Sequence, residues 1–272
     1  MGTSGSYSGS GGKVGDGLRE GLGDWLDSLP EGPAPAGPGQ NTPSDQGQDT
    51  GPRLDPTVVL PVVSLLRPRS AGGSGGDGPG GSAGGGGAGG DRGGRGGGGP
   101  RRSVGRSATT AGRAAAAALA YRSGDAPTLE RLGLNLAELS TVGDQYEIAR
   151  RIVEAACGAR ADSTIEDYEQ RLVAADVAEW VLSQEADGGP PTPEEIVRRT
   201  LALIVADAFL SDTGELVNNS NHADLAESEV RDAAEALAAR PTLSVAGVTE
   251  AKFTQAIEDG IEALRAIYQE AS

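Results

Sequence analysis

Between Gly72 and Gly99, 19 of 28 positions are glycine. A stretch of that kind has almost no side chains to bury, so nothing offsets the entropy lost in ordering its backbone, and it predicts a linker rather than a packed element. It divides the chain into unlike halves. Glycine, proline and serine crowd the first hundred positions, whereas Leu, Ile, Val and Ala recur at helical spacing over the remainder. The pattern predicts a disordered arm over 1–102 and an all-α, bundle-like domain over 103–272, long enough to bury a core without metal or disulfide.

Two short segments interrupt the low complexity of the arm. Over 16–29, Leu18, Leu22, Trp25, Leu26 and Leu29 fall at helical intervals with Asp16, Glu20, Asp24 and Asp27 between them. Gly17, Gly21 and Gly23 each weaken a helix by up to about 1 kcal/mol relative to alanine, so the segment needs a surface to order it. That surface is either a partner's groove, with Trp25 as the anchor, or the chain's own helical domain, and both readings stand. Over 54–68, Val58, Val59, Leu60, Val62, Val63, Leu65 and Leu66 sit among prolines. β-branched residues beside Pro56 and Pro61 predict an extended strap, docked on the molecule's own surface or on another protein.

Helices are expected from Ser103 onward. The alanine-rich run to Arg122, a short stretch around 129–139, and the repeat Ile148, Ile152, Val153, Ala156 make the first three. Ser163 to Glu166 has capping-box spacing and opens a helix to about Ala186; Thr192 to Glu195 repeats the spacing with Pro193 at the first helical position. The run Leu201–Leu210 is apolar on nearly every side and predicts the most buried helix. A polar loop is expected after Asp212-Thr-Gly214, then helices over roughly 223–239 and 250–270, for a total of five to seven with little or no strand.

Net charge is −16, but unevenly spread: −5 over 1–52, +6 over 53–131 and −17 beyond. Arg92, Arg95, Arg101, Arg102 and Arg106, continuing to Arg113, form a basic collar on an acidic protein. Arginine–glycine segments of this kind contact nucleic acid through phosphates, yet no aromatic residue lies between Arg69 and Ala120 to stack on a base. The collar is therefore equally open to solvent or to an acidic partner. A single cysteine, Cys157, excludes an intramolecular disulfide, and no signal peptide or membrane span is evident; a cytoplasmic protein with no membrane association is expected.

No catalytic or metal-binding constellation stands out, and no cofactor is expected. The one histidine, His222, falls in a loop or cap, and Cys157 lies on an apolar helix face as a buried thiol. Glu194 and Glu195 are explained by a helix N-terminus. The glycines match neither a Walker loop nor a dinucleotide turn, and Asp212-Thr-Gly214 lacks the following ligands of a calcium loop.

The N-terminus itself is the most unusual feature. Loss of Met1 leaves Gly2 with an α-amine that titrates close enough to neutrality to keep a nucleophilic fraction. Gly2 and Gly5 have no Cβ to obstruct a narrow tunnel, Thr3, Ser4 and Ser6 are small, and Tyr7 offers an anchor. A myristoylation pattern also fits these residues, without a second membrane signal to support it.

Met1-Gly-Thr-Ser-Gly-Ser-Tyr7, a tryptophan-containing segment, a long Gly/Pro spacer and Pro100-Arg-Arg-Ser-Val-Gly-Arg106 opening a helical domain together resemble the QatB family, a component of the four-protein Qat anti-phage defence system. The resemblance spans nearly the whole chain and is strongest in the first seven residues; the helical part matches in order and character more than in motif. It implies a non-catalytic adaptor whose partners are a QueC-like enzyme, an ATPase and a TatD-like nuclease. QueC relatives adenylate an acid and handle deazapurines, so the resemblance further implies a partner that conjugates a 7-deazaguanine-like group to Gly2, with Gly2–Tyr7 entering the enzyme. The alanine-rich, lysine-poor composition departs from a typical member.

Overall fold

The computed structural model describes residues 12–30, 52–68, 102–158, 165–184 and 189–271. Ten α-helices lie among them: α1 (Lys13–Ser28), α2 (Pro56–Val59), α3 (Val104–Ser123), α4 (Ala126–Arg131), α5 (Leu136–Ser140), α6 (Gln145–Cys157), α7 (Ile165–Ser183), α8 (Pro193–Asn219), α9 (Ala223–Ala238) and α10 (Glu250–Ala271). A 3₁₀ turn follows α2 over Leu60–Ser64, and two-residue strands β1 (Leu66–Arg67) and β2 (Arg102–Ser103) pair in parallel. The fold is all-α, as expected, with eight helices among the described residues of 103–272 where five to seven are expected.

Two long helices organise the core. α8 buries Ile196, Val197, Leu201, Val205 and Phe209 and packs against α9, α10, α7 and α1. α3 is buried on almost every side because its inward positions are Ala108, Ala111 and Ala114–Ala118, small enough for α7 and α10 to approach closely. Where α10 crosses α3, Gly112 leaves no room: a Cβ there would lie 2.9 Å from Thr254 Oγ1 and 3.0 Å from its backbone nitrogen. Where α10 meets α8, a Cβ on Gly260 would lie 2.5 Å from a methyl of Leu201. Absence of side chains at two positions thus sets how tightly α10 wedges between its neighbours.

The helix ends follow local chemistry. Asp125, Asn135 and Asp144 cap α4, α5 and α6 through their side chains, and Gly158, at φ +68°, closes α6. Thr192 and Glu195 form the expected capping box at the start of α8. Arg122, near the end of α3, donates to the carbonyl oxygens of Val181 at 3.1 Å and Leu182 at 3.3 Å, and to that of Gln184, satisfying carbonyls at the end of α7. Ser163, the expected cap of α7, lies outside the described residues.

Several expectations are corrected. The polar loop expected after Gly214 is confined to residues 220–222, for α8 continues to Asn219 with Asp212 and Thr213 buried. The Thr213 hydroxyl donates to the Phe209 carbonyl one turn back, and tertiary burial overrides the turn-forming residues. Cys157 is half-buried rather than enclosed. Segments 12–30 and 52–68 share a core with the helical domain, with Leu18, Leu22, Val59, Val62 and Val63 fully buried. The other residues of the expected disordered arm lie outside the described residues.

Candidate functional site

The region that bears on function is the place where the N-terminal segments are fastened to the helical body. α1 turns Leu18, Leu22, Trp25 and Leu29 inward, with Leu26 half-buried beside them, and packs on α8 and on the 3₁₀ turn. Of the two surfaces open to this segment, the structure therefore shows its own domain. In this conformation the stripe is covered by the chain's own helices. The opposite side of α1 exposes Asp16, Glu20, Asp24 and Asp27, one acidic ridge along the helix.

Two hydrogen bonds tie α1 and the strap in place. Trp25 Nε1 donates to the Pro52 carbonyl at 2.8 Å, bringing the strap back beside α1 after residues 31–51. Two residues on, the Leu54 backbone N–H donates at 2.9 Å to Oε2 of Glu229, a carboxylate buried on α9 among Ala226, Val230 and Ala233. Burying a carboxylate is costly unless a donor meets it, and here the donor is a main-chain amide that has no helix or sheet partner.

The strap is not extended. Asp55 accepts from the Thr57 backbone N–H at 2.8 Å and from its hydroxyl at 2.7 Å, capping a helical turn whose first residue is Pro56. The backbone hydrogen bond foremost, then the hydroxyl, hold the Asp55 carboxyl below the ordinary aspartate range, and Arg240 adds to the effect. Capping and burial of the valines outweigh the extended preference of β-branched residues. Leu66 and Arg67 form a short strand, pairing with Arg102 and Ser103.

That pairing reverses the meaning of the glycine tract. The chain leaves at Pro68 and returns at Arg102 to the residue paired with Leu66, so 69–101 is an excursion from one body and not a tether between two. Of the collar, Arg106 is exposed on the first turn of α3, and Arg113 lies 3.6 Å from Glu250 on α10. Arg102 contributes its backbone to β2; Arg92, Arg95 and Arg101 lie outside the described residues, as do Gly2, Thr3, Ser4, Gly5, Ser6 and Tyr7. The fold adds exposed Arg67 to the collar, beside β2. Glu229 had a signal in the sequence, an acidic residue on the inward stripe of an otherwise amphipathic helix. The Trp25–Pro52 and Leu66–Arg102 pairings had none.

A separate groove of about 460 Å³ lies between α3, α4 and the start of α10. Its hydroxyls are engaged locally: Thr109 donates to the Gly105 carbonyl, Thr254 to that of Glu250, and Thr128 to the Asp125 carboxylate at 2.6 Å. The Asp125 carboxylate that receives the Thr128 hydroxyl is the N-cap of α4. His222 sits at the start of α9 without a side-chain cap bond. Among the described residues no cluster of His, Cys, Asp or Glu could hold a metal ion, and no helix is long and apolar enough to cross a membrane.

The fold and this region define an all-α protein whose N-terminal helix and strap are built into its core. No family model matches the chain, and no similar curated protein or solved structure was found.

Proposed function

We propose that this protein is a non-catalytic adaptor of an anti-phage defence system, cytoplasmic, the partner of a QueC-like enzyme and its substrate at Gly2. The ATPase and the TatD-like nuclease of the system are the further partners this reading implies. The observation that carries it is the opening Met1-Gly-Thr-Ser-Gly-Ser-Tyr7, five residues ahead of a helix fastened to the body. Nine residues separate Gly2 from Gly12, a span of at most about 35 Å when fully extended. A small-residue segment of that length can thread a tunnel while α1 holds its base, which limits the volume the amine explores and raises its effective concentration at a docked enzyme.

Modification needs an activated acyl donor, which an adenylating enzyme supplies: the neutral amine of Gly2 attacks the adenylate carbonyl, an amide bond forms, and AMP leaves with the proton passing to solvent. Coexpression of the whole system during infection, followed by intact-mass measurement, tests this. A mass increment located at Gly2 and lost on deletion of residues 2–12 is expected; Met1 removal alone as the sole change overturns it.

A second reading, nucleic-acid binding through the collar, draws support from exposed Arg67 and Arg106 near the β1–β2 pair. It requires salt-sensitive RNA binding that is lost when Arg92, Arg95, Arg101 and Arg102 are replaced.

A further inference from the structure

We infer that α1 is a reversible latch, a helix that undocks from α8 and the strap as a unit while the rest of the body stays folded. Its regulatory purpose rests on the adaptor reading; the undocking itself does not.

The observation is that α1 is weakened where packing makes no demand. Gly17 and Gly23 lie within the helix at ordinary helical angles, and a Cβ at either would meet nothing within 4 Å. Alanine would fit both and favour the helix, so neither glycine is explained by close approach or by a turn. Gly21 differs, for a Cβ there would lie 3.0 Å from Val58 Cγ1 and is excluded by contact with the strap. The helix also begins at Gly12 without a side-chain cap and ends without a basic residue in its last turn. Its ion pair, Arg19 with Asp16 at 3.5 Å, is internal. Apolar burial and the Trp25–Pro52 hydrogen bond are what hold it.

The strap has fastenings of its own. Leu54 is bound by Glu229, Val59, Val62 and Val63 are fully buried, and Leu66 pairs with Arg102. Release of α1 breaks the Trp25–Pro52 bond and therefore leaves Leu54, held by Glu229, as the first fastened residue of the N-terminal half. The same step frees Leu18, Leu22, Trp25 and Leu29, an amphipathic stripe suited to a groove on the QueC-like partner. Docked, α1 covers its apolar stripe; released, it exposes a binding element.

Amide hydrogen exchange on the isolated full-length chain tests the latch. The amides of α1 are expected to exchange by local opening well before those of Leu201–Phe209 in α8. Replacing both glycines, Gly17→Ala with Gly23→Ala, is expected to slow α1 exchange roughly twentyfold with no change in α8. Exchange of α1 in step with α8 overturns the proposal, and so does an α1 rate indifferent to the double substitution. Because the measurement needs no partner, failure of the latch leaves the mass test of Gly2 standing, and failure of that test leaves the latch standing.

Discussion

Glu229 on α9 accepts the backbone N–H of Leu54 at 2.9 Å, joining residues 175 positions apart. The bond makes one buried carboxylate the receiver of the strap. Glu229→Ala leaves the Leu54 amide buried without an acceptor and is expected to cost about 1–3 kcal/mol. Glu229→Gln keeps an acceptor oxygen and should cost less. Urea denaturation midpoints at constant slope distinguish the two.

Substituting alanine for glycine should change sign with position. At Gly112 the new methyl meets Thr254 and the backbone of α10, so Gly112→Ala is expected to destabilise by about 1–3 kcal/mol through overpacking. Gly214 lies inside α8 with nothing within 4 Å of its would-be Cβ, and Gly214→Ala is expected to stabilise by up to about 1 kcal/mol. Thermal unfolding of the two variants beside the parent checks both directions.

The capping box of α8 carries a pH dependence. The Thr192 backbone N–H, at 2.7 Å, and then its hydroxyl, at 2.9 Å, hold the Glu195 carboxyl below its ordinary value of 4.5. A depressed folded pKa means that the contribution is complete above the unfolded value and disappears as pH falls through the folded one. The stability gap between the parent and Glu195→Ala should therefore be constant at neutral pH and close below about pH 4.5. Thr192→Ala should cost about 1 kcal/mol at neutral pH, as loss of a cap does. Chemical denaturation across a pH series reads both.

The β1–β2 pair makes the glycine tract dispensable for folding. Replacing residues 72–99 by a Gly/Ser segment of about twelve residues, long enough for a parallel crossover, should leave the helical content intact. The shorter closure should change stability by less than about 1 kcal/mol. Circular dichroism with a melting curve tests this, and a collapse of the fold would show that the tract itself packs.

Much of the helical body was legible because its signals are local. Thr192 and Glu195 mark the start of α8, and Phe253, Ile257, Ile261 and Leu264 mark the inward face of α10 at one spacing. Less was legible at the candidate site. Leu18, Leu22 and Trp25 announced an amphipathic helix but left its receiver open, since a stripe states what must be covered and not by what. The valines of the strap pointed to extension, and a single aspartate cap with burial turned most of them into helix.

By itself the sequence determined the all-α class, the positions of the long helices, the cap of α8, and the acidic and basic division of charge. Each depends on interactions within a few residues, where side-chain spacing and backbone geometry suffice. The tertiary structure alone decided that α1 and the strap belong to the core, and that α8 runs on through Asp212 and Gly214. It alone decided that the glycine tract begins and ends at one place. Those outcomes depend on Trp25 meeting Pro52, Leu54 meeting Glu229 and Leu66 meeting Arg102. Such contacts form only when distant segments share one core, and no local spacing encodes them.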